Sequence, residues 1–296
     1  MATYQGEAFL AEQLASLARQ TRRPDELIIS DDCSRDRTVE IAKAFAQTAA
    51  FPVQVFVNRT NIGFAKNFAA AARHSTGDLI FLADQDDIWR DDKIALMADI
   101  AADSTASVFS HDISVFSTSP SDATHPSYYR YLQAQGFSPA VCLKGCTLAI
   151  KSDFIARWGW PPEGATVSHD FWVALLATGL RQRQYVDSVL VDYRLHDRNA
   201  SGWIATRNDL VRQPPDASLQ QAPSADLDVL IELVIKRDNL NWTGSFLHAL
   251  RQRGDDLDGN LIAEFTLSLQ KNLTWYRENT ATRRSFLPFR RWRKKG

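Results

Sequence analysis

The chain has 296 residues, with 34 Lys and Arg against 35 Asp and Glu and a net charge of −1. That length admits one large domain, or one domain with an appendage, and the charge balance gives no global sign of a nucleic-acid partner. Cys33, Cys142 and Cys146 are odd in number and widely spaced, which argues against a disulfide framework and fits a reducing cytosol. No signal peptide, internal repeat or membrane-spanning apolar run is read from the sequence.

In chain order, Met1-Ala2-Thr3-Tyr4-Gln5-Gly6 leads into a helix expected from about Glu7 to Gln20, with Phe9, Leu10, Leu14 and Leu17 on one face. Glu26 to Ser30 reads as a strand, and Asp31-Asp32-Cys33-Ser34 as the loop beyond its carboxyl end. Ser34 or Asp36 is expected to cap a helix to about Gln47. Val53 to Val57 alternates as a short strand, Asn58 to Gly63 is a loop, and Phe64 to His74 is a helix carrying Lys66 and Asn67 on its first turns.

The next stretch, Leu79 to Trp89, combines two opposite chemistries. Leu79-Ile80-Phe81-Leu82-Ala83 is an uninterrupted apolar run, the pattern of a strand buried on both faces in a parallel sheet. It stops at Asp84-Gln85-Asp86-Asp87, and ligands of open α/β sheets bind beyond the carboxyl ends of strands. Three close carboxylates repel one another, so some take up protons unless a cation or hydrogen-bond donors compensate them. Hard oxygen ligands suit Mg²⁺ or Mn²⁺. The competing reading is that Asp86, Asp87 or Asp91 only caps the helix that follows.

That helix is expected from about Asp91 to Asp99, then a strand within Ala106 to Phe116. Ser117 to Ser138 reads as a long loop near the site, and Val141 to Ile150 as a strand with Gly145 inside it. Cys142 and Cys146 read as small buried residues rather than zinc ligands. Asp153 starts a short helix, Trp158-Gly159-Trp160-Pro161-Pro162 is a rigid aromatic turn, and Ser168-His169-Asp170 opens a helix ended by Gly179. Gln184 to Val191 is a further strand, followed by Tyr193-Arg194-Leu195-His196. The alternation of strand and helix predicts an α/β, doubly wound, mostly parallel sheet over residues 1–205. Beyond a Pro-marked linker, apolar stripes at Leu227 to Ile235 and Leu261 to Leu273 predict a helical appendage over 206–296. Its basic, aromatic end, Arg283 to Lys295, carries seven Lys or Arg and no acid.

Ala2-Thr3-Tyr4, Ile29-Ser30-Asp31-Asp32-Cys33-Ser34, Asn61-Ile62-Gly63, Lys66-Asn67 and Ala83-Asp84-Gln85-Asp86-Asp87-Ile88-Trp89 resemble bacterial family 2 glycosyltransferases, most closely the cytoplasmic rhamnosyltransferase-like members that build surface polysaccharides. The likeness covers about Met1 to Gly202. It implies a GT-A fold, a nucleoside-diphosphate sugar donor, a Mg or Mn ion, a glycan or lipid-linked acceptor and an inverting transfer. Ala2, Thr3, Tyr4 and Glu7 match positions lining the nucleotide pocket, and Asp32, with Asp31 beside it, the acid that contacts base or ribose. Asn61 and Gln85 belong to the donor motifs. Asp84-Gln85-Asp86 matches the DXD motif, Asp86 as metal ligand and Asp84 nearer the ribose, and His196 matches a His that reaches the metal or diphosphate. Asp170 matches the catalytic base. In the family an apolar strand precedes Ala2, so such a strand is expected upstream, and a Gly is commoner where Cys33 stands.

On residue chemistry alone, Asp170 is either that base or a helix cap, and Lys66 either pairs with the diphosphate or is an ordinary exposed lysine. Trp160 and Trp172 either stack on an acceptor sugar or pack in the core. The basic tail is either an anchor to an anionic cytoplasmic membrane face or solvated chain. Two other functions stay open: a non-catalytic sugar-nucleotide binder, and a different nucleotide-dependent transferase, although no Gly-rich phosphate loop is visible.

Overall fold

The computed structural model describes residues 1–117, 119–134, 142, 144–161, 168–197 and 199. The expected linker, both helical stripes and Arg283 to Lys295 lie outside those residues.

The first half is a parallel ladder. β1 (Ala2–Thr3), β2 (Leu27–Asp31) and β3 (Val53–Val57) pair in that order, with Ala2 opposite Ser30 and Leu27 opposite Val53. Helices α1 (Leu10–Ala18) and α2 (Thr38–Thr48) make the connections. In α1, Leu10, Leu14 and Leu17 fall one turn apart and are buried, so the helix seals one face with a single apolar stripe. α3 (Phe64–Arg73) then leads to β4 (Leu79–Phe81).

The second half is a mixed sheet in the order β4-β7-β6-β8-β5, with β5 (Ile88–Trp89), β6 (Val108–Phe116), β7 (Leu148–Lys151) and β8 (Arg183–Arg194). β6 and β8 are parallel, but β7 runs antiparallel to both β4 and β6, and β5 antiparallel to β8. The α/β class is as expected, whereas parallel pairing dominates only the first half. The Ala2 amide donates to Ala83 O at 3.3 Å and joins the two sheets.

Three local expectations are corrected. Leu79, Ile80 and Phe81 are only half-buried, while Leu82 and Ala83 beyond them are buried. A cavity of about 240 Å³ lies beside β4, lined in part by Met1, Leu27, Ile28, Leu79, Phe81 and Trp89. The region read as a loop after Phe116 contains α5 (Tyr128–Ala134), with Tyr128, Tyr129 and Leu132 buried. Gly145 lies in a 3₁₀ turn, Gly145–Thr147, that precedes β7 rather than inside a strand.

α4 (Lys93–Ala102) follows β5, and α6 (Ser152–Trp158) follows β7. The core centres on α7 (His169–Gly179), where every residue from Phe171 to Ala177 is buried. A helix apolar on all sides belongs between layers, and this burial fixes where its first turn, with Asp170, meets the ends of the strands.

Candidate active site

Four loop segments build the site. The first follows β1. Thr3 is buried and its hydroxyl donates to Asp31 Oδ2 at 2.8 Å. Tyr4 is exposed, but its amide donates to Gln85 Oε1 at 2.8 Å, and Gln85 Nε2 donates to Tyr4 O at 3.0 Å. Ala2 is a buried ladder residue. Glu7 is exposed, and its carboxylate accepts the Arg37 amide at 3.0 Å beside the start of α2.

The second segment follows β2. Asp31 also accepts the Ser34 amide and hydroxyl, at 2.8 and 2.6 Å. Asp32 is 2 % exposed and accepts from Asn58 Nδ2, the Ile62 amide and the Gly63 amide at 3.0, 2.8 and 2.8 Å. Asp31 thus fixes its own loop, and Asp32 ties that loop to the one before α3. Gly63 has φ +86, a conformation that favours glycine, and this lets the loop close on Asp32 before α3 begins. Asn67 ties the layers together: its Nδ2 donates to Ser30 O at 2.8 Å, and its Oδ1 accepts from Asn58. Asn61 and Lys66 are exposed nearby.

The third segment is the acid loop beyond β4. Asp92, not Asp86, Asp87 or Asp91, occupies the cap position of α4, and it makes no side-chain capping bond. The three acids are therefore free of that duty. Asp86 Oδ2 lies 2.9 Å from His196 Nε2 and accepts from Asn199 Nδ2 at 3.3 Å. Burial, reinforced by the charges of Asp86 and Asp170, pushes the Asp84 carboxyl up to about 7. Burial beside Asp86 and Asp84 also raises Asp87 well above the carboxylate range. The repulsion expected among these acids is thus present.

Two buried lysines approach the same loop. Lys93 donates to Cys146 O at 2.7 Å, and its ammonium sits 3.5 Å from the centroid of the Trp89 ring. Burial brings it down to about 7, against the opposing pull of Asp87 and Asp84. Lys144 lies within electrostatic reach of both Asp170 and Asp84, and its Nζ is 3.4 Å from Tyr193 Oη. Neither lysine was legible as a site residue, because a lysine at a helix start or in a loop normally reads as solvated.

The fourth segment is the first turn of α7. Ser168, not Asp170, holds the cap position. Asp170 is partly exposed, and its charge reaches Asp84 from a different layer of the fold. His169 beside it is buried, stacks on Phe68 at 4.2 Å between ring centroids, and among the described residues neither ring nitrogen has a hydrogen-bond partner. Trp160 is partly buried, 6.4 Å from the His169 ring. Trp172 is a correction: it is 1 % exposed and its Nε1 donates to Gly159 O at 3.1 Å. Its ring presents no open face to a sugar and belongs to the core.

Asp84, Asp87 and Cys146 each offer an atom within 4.8 Å of the others. Among the described residues, Asp87 Oδ2 is buried with no hydrogen-bond partner. Burial and the adjacent acids push the Cys146 thiol well above its ordinary range. Asp86, paired with the His196 imidazole at 2.9 Å, stands outside that group. The two carboxylates of the group suit a hard divalent cation, the sulfur a softer one.

The strand ends of this α/β scaffold gather two acidic loops, and a separate helix-borne carboxylate faces them. Residues 1–157 match the profile "Glycosyl transferase family 2", and the chain belongs to that family. The dTDP-rhamnosyl transferase RfbG of Shigella flexneri is 27% identical over 213 residues, 68% of this chain and 73% of that protein. The putative glycosyltransferase EpsE of Bacillus subtilis is 36% identical over 88 residues, 30% of this chain and 32% of that protein. Among solved structures, S. aureus TarS 1–349 in complex with UDP has a TM-score of 0.61 at 16% identity, covering 97% of this chain and 74% of that one. A mannosyltransferase from Pyrobaculum calidifontis in complex with GDP-Man and Mn²⁺ has a TM-score of 0.52 at 17% identity, covering 96% and 86%. These two likenesses establish the GT-A-type fold.

Proposed function

We propose that the chain moves a sugar, with inversion, from a nucleoside-diphosphate donor to a hydroxyl of a glycan or lipid-linked glycan in surface polysaccharide synthesis. The observation that carries this reading is the convergence of Asp84, beyond β4, with Asp170, in the first turn of α7, near enough for their charges to interact. A donor-side acid and a second carboxylate from a distant element are what a single displacement at the anomeric carbon requires.

Asp170 takes the proton of the acceptor hydroxyl as that oxygen attacks, and the bond to the diphosphate breaks. Lys144, within electrostatic reach of Asp170 and Asp84, puts positive charge beside both. Thr3, Tyr4, Asp31 and Asp32 receive the nucleoside, with Ala2 and Glu7 shaping that side and Asn61 and Lys66 at its mouth. Trp160 flanks the acceptor. Asp84 and Asp86, with His196 alongside, would hold Mg²⁺ or Mn²⁺, which neutralises charge on a departing diphosphate when bound. Rhamnose from dTDP-rhamnose is the leading donor, supported by the likeness to the Shigella protein.

The test is donor consumption by the purified protein with dTDP-rhamnose, UDP-GlcNAc and GDP-mannose, each with and without Mn²⁺. Turnover of dTDP-rhamnose above the other two is expected. Binding of a donor with no turnover under any condition would favour the non-catalytic alternative.

Among the described residues no helix is long and apolar enough to cross a membrane. The proposal places residues 1–205 as the catalytic domain and 206–296 as an appendage. Within the appendage, Arg283 to Lys295 is cast as a cytoplasmic anchor to anionic lipid, at about 1 kcal/mol per Lys or Arg near the surface. Co-sedimentation with anionic vesicles, compared with a chain ending at Thr282, checks it. Equal partitioning of the two would remove the anchor.

A further inference from the structure

Gln85 stands between the two acids proposed to hold the cation, yet its own side chain is turned to the nucleotide side. Its amide closes a two-bond clasp on the backbone of Tyr4: the Tyr4 amide donates to Oε1 at 2.8 Å and Nε2 donates to Tyr4 O at 3.0 Å. The clasp is built for close approach. A Cβ added at Gly6 would lie 2.2 Å from Gln85 Oε1 and 2.5 Å from Cδ, a clash with an amide already committed on both ends. Gly6 is itself held, its amide donating to the Thr38 hydroxyl at 2.7 Å.

The rest of that segment is fixed to the other side of the cleft. The Gln5 amide donates to Ser34 Oγ at 2.9 Å, and Gln5 Oε1 accepts the Arg35 and Asp36 amides at 3.1 and 3.2 Å. Gln5 adopts φ +50 to make this turn, a conformation L residues adopt at some energetic expense. Tyr4 to Gly6 therefore spans from the β2–α2 loop, with Asp31, to the acid loop, with Asp84 and Asp86, and Gln85 grips its near end.

We infer that Gln85 is a positioning residue that couples nucleotide binding at Tyr4 to cation binding at Asp84 and Asp86. Resting on the function proposed above, this reassigns Gln85 from a donor contact to a strut. A cation that orders the acid loop orders Gln85, hence the Tyr4 backbone, and the nucleotide then binds a segment already in place. By thermodynamic linkage the effect is reciprocal.

The experiment uses the full chain, Gln85→Met, which keeps length but removes both hydrogen bonds, and Gln85→Glu, which keeps only the acceptor for the Tyr4 amide. Amide exchange of the peptide from Met1 to Phe9 is followed by mass spectrometry with and without Mn²⁺, and dTDP affinity is measured by calorimetry under the same two conditions. In the wild type, Mn²⁺ is expected to slow exchange of this peptide and to strengthen dTDP binding about fivefold or more, within the usual range of coupling. In Gln85→Met the slowing of exchange should be lost, and the Mn²⁺ gain in dTDP affinity should fall at least about twofold below that of the wild type. Gln85→Glu should fall between, a graded response that general loosening of the fold would not give. If the wild type binds dTDP and Gln85→Met keeps the full Mn²⁺ response, the coupling role is overturned and the functional reading stands. If the wild type binds no nucleoside diphosphate with or without Mn²⁺, the functional reading fails and takes the coupling with it.

Discussion

His196 Nε2 lies 2.9 Å from Asp86 Oδ2, although 110 positions separate the two residues. Phe9 stacks on the same imidazole with ring centroids 4.5 Å apart, and Arg194 Nε donates to Asp86 O at 3.0 Å. Arg194 is held in turn by an ion pair with Glu12. Residues in and beside α1, the end of β8 and the segment after it thus converge on Asp86.

Asp86→Ala should abolish the Mn²⁺-dependent part of dTDP affinity and of turnover, because it removes the carboxylate around which that convergence is built. His196→Ala should weaken Mn²⁺ binding about tenfold, the lower end of what loss of a ligand or its orienting partner produces. Calorimetry with Mn²⁺ and dTDP reads both. Unchanged affinity in Asp86→Ala would refute the cation role.

The raised Asp84 carboxyl gives a pH prediction with a definite sign. Its folded value, about 7, exceeds the ordinary 3.8. Between those values the folded chain holds a proton that the unfolded chain has lost, so this group's contribution to stability falls as pH rises from about 4 to 7. Burial keeps His111 and His169 below their ordinary range, which works in the opposite direction. The effect is therefore read as a difference between proteins. Metal-free Asp84→Asn should melt above the wild type at pH 8, with the gap closing toward pH 5. A gap independent of pH would show that Asp84 titrates normally.

Much of the site was legible because its chemistry is local in sequence. Asp31-Asp32 and Asp84-Gln85-Asp86-Asp87 follow apolar runs, and β3 and α3 begin where alternation and helical spacing place them. What was not legible depends on contacts far apart in the chain. The antiparallel course of β7 leaves no mark in a four-residue strand, and α5 has seven residues, too few for periodicity to stand out between Ser and Pro. Trp172 is instructive. An aromatic face suits a sugar ring, yet the run from Phe171 to Ala177 is apolar at every position, the mark of a helix buried all round. That signal assigns Trp172 to the core, and Trp172→Ala should destabilise by about 3–5 kcal/mol, seen as a large drop in melting temperature.

Cys33 adopts φ +66 in the loop that carries Asp32. Left-handed backbone disfavours a non-glycine residue by about 1–2 kcal/mol. A glycine there loses about 0.5–1 kcal/mol through its freer unfolded chain. Cys33→Gly should therefore stabilise by about 0.5–1 kcal/mol, a rise of about 2 °C for a domain of this size. The sulfur makes only a 3.8 Å contact with Arg59 O, which offsets little. A fall in melting temperature would mean that side-chain contacts outweigh the backbone term.

Asp170 carries the most exacting prediction, because every other acid near it has a structural or donor-side duty. Asp31 is engaged by Ser34, Asp32 by donors from the loop before α3, and Asp86 by His196 and Asn199. Asp84 and Asp87 are raised by burial and mutual repulsion. Asp170 is partly exposed, and among the described residues the Phe171 amide donates to its Oδ1 at 2.9 Å. Asp170→Asn keeps shape and that bond but cannot take a proton. It should lower kcat at least about a hundredfold, the scale of general-base catalysis, with donor Kd within about twofold and melting temperature near the wild type. Loss of donor affinity in parallel with kcat would instead place Asp170 among the donor ligands, and near-normal turnover would require another base. Asp170→Glu, which restores a carboxylate at a displaced position, should recover part of the lost rate and separates loss of the base from loss of shape.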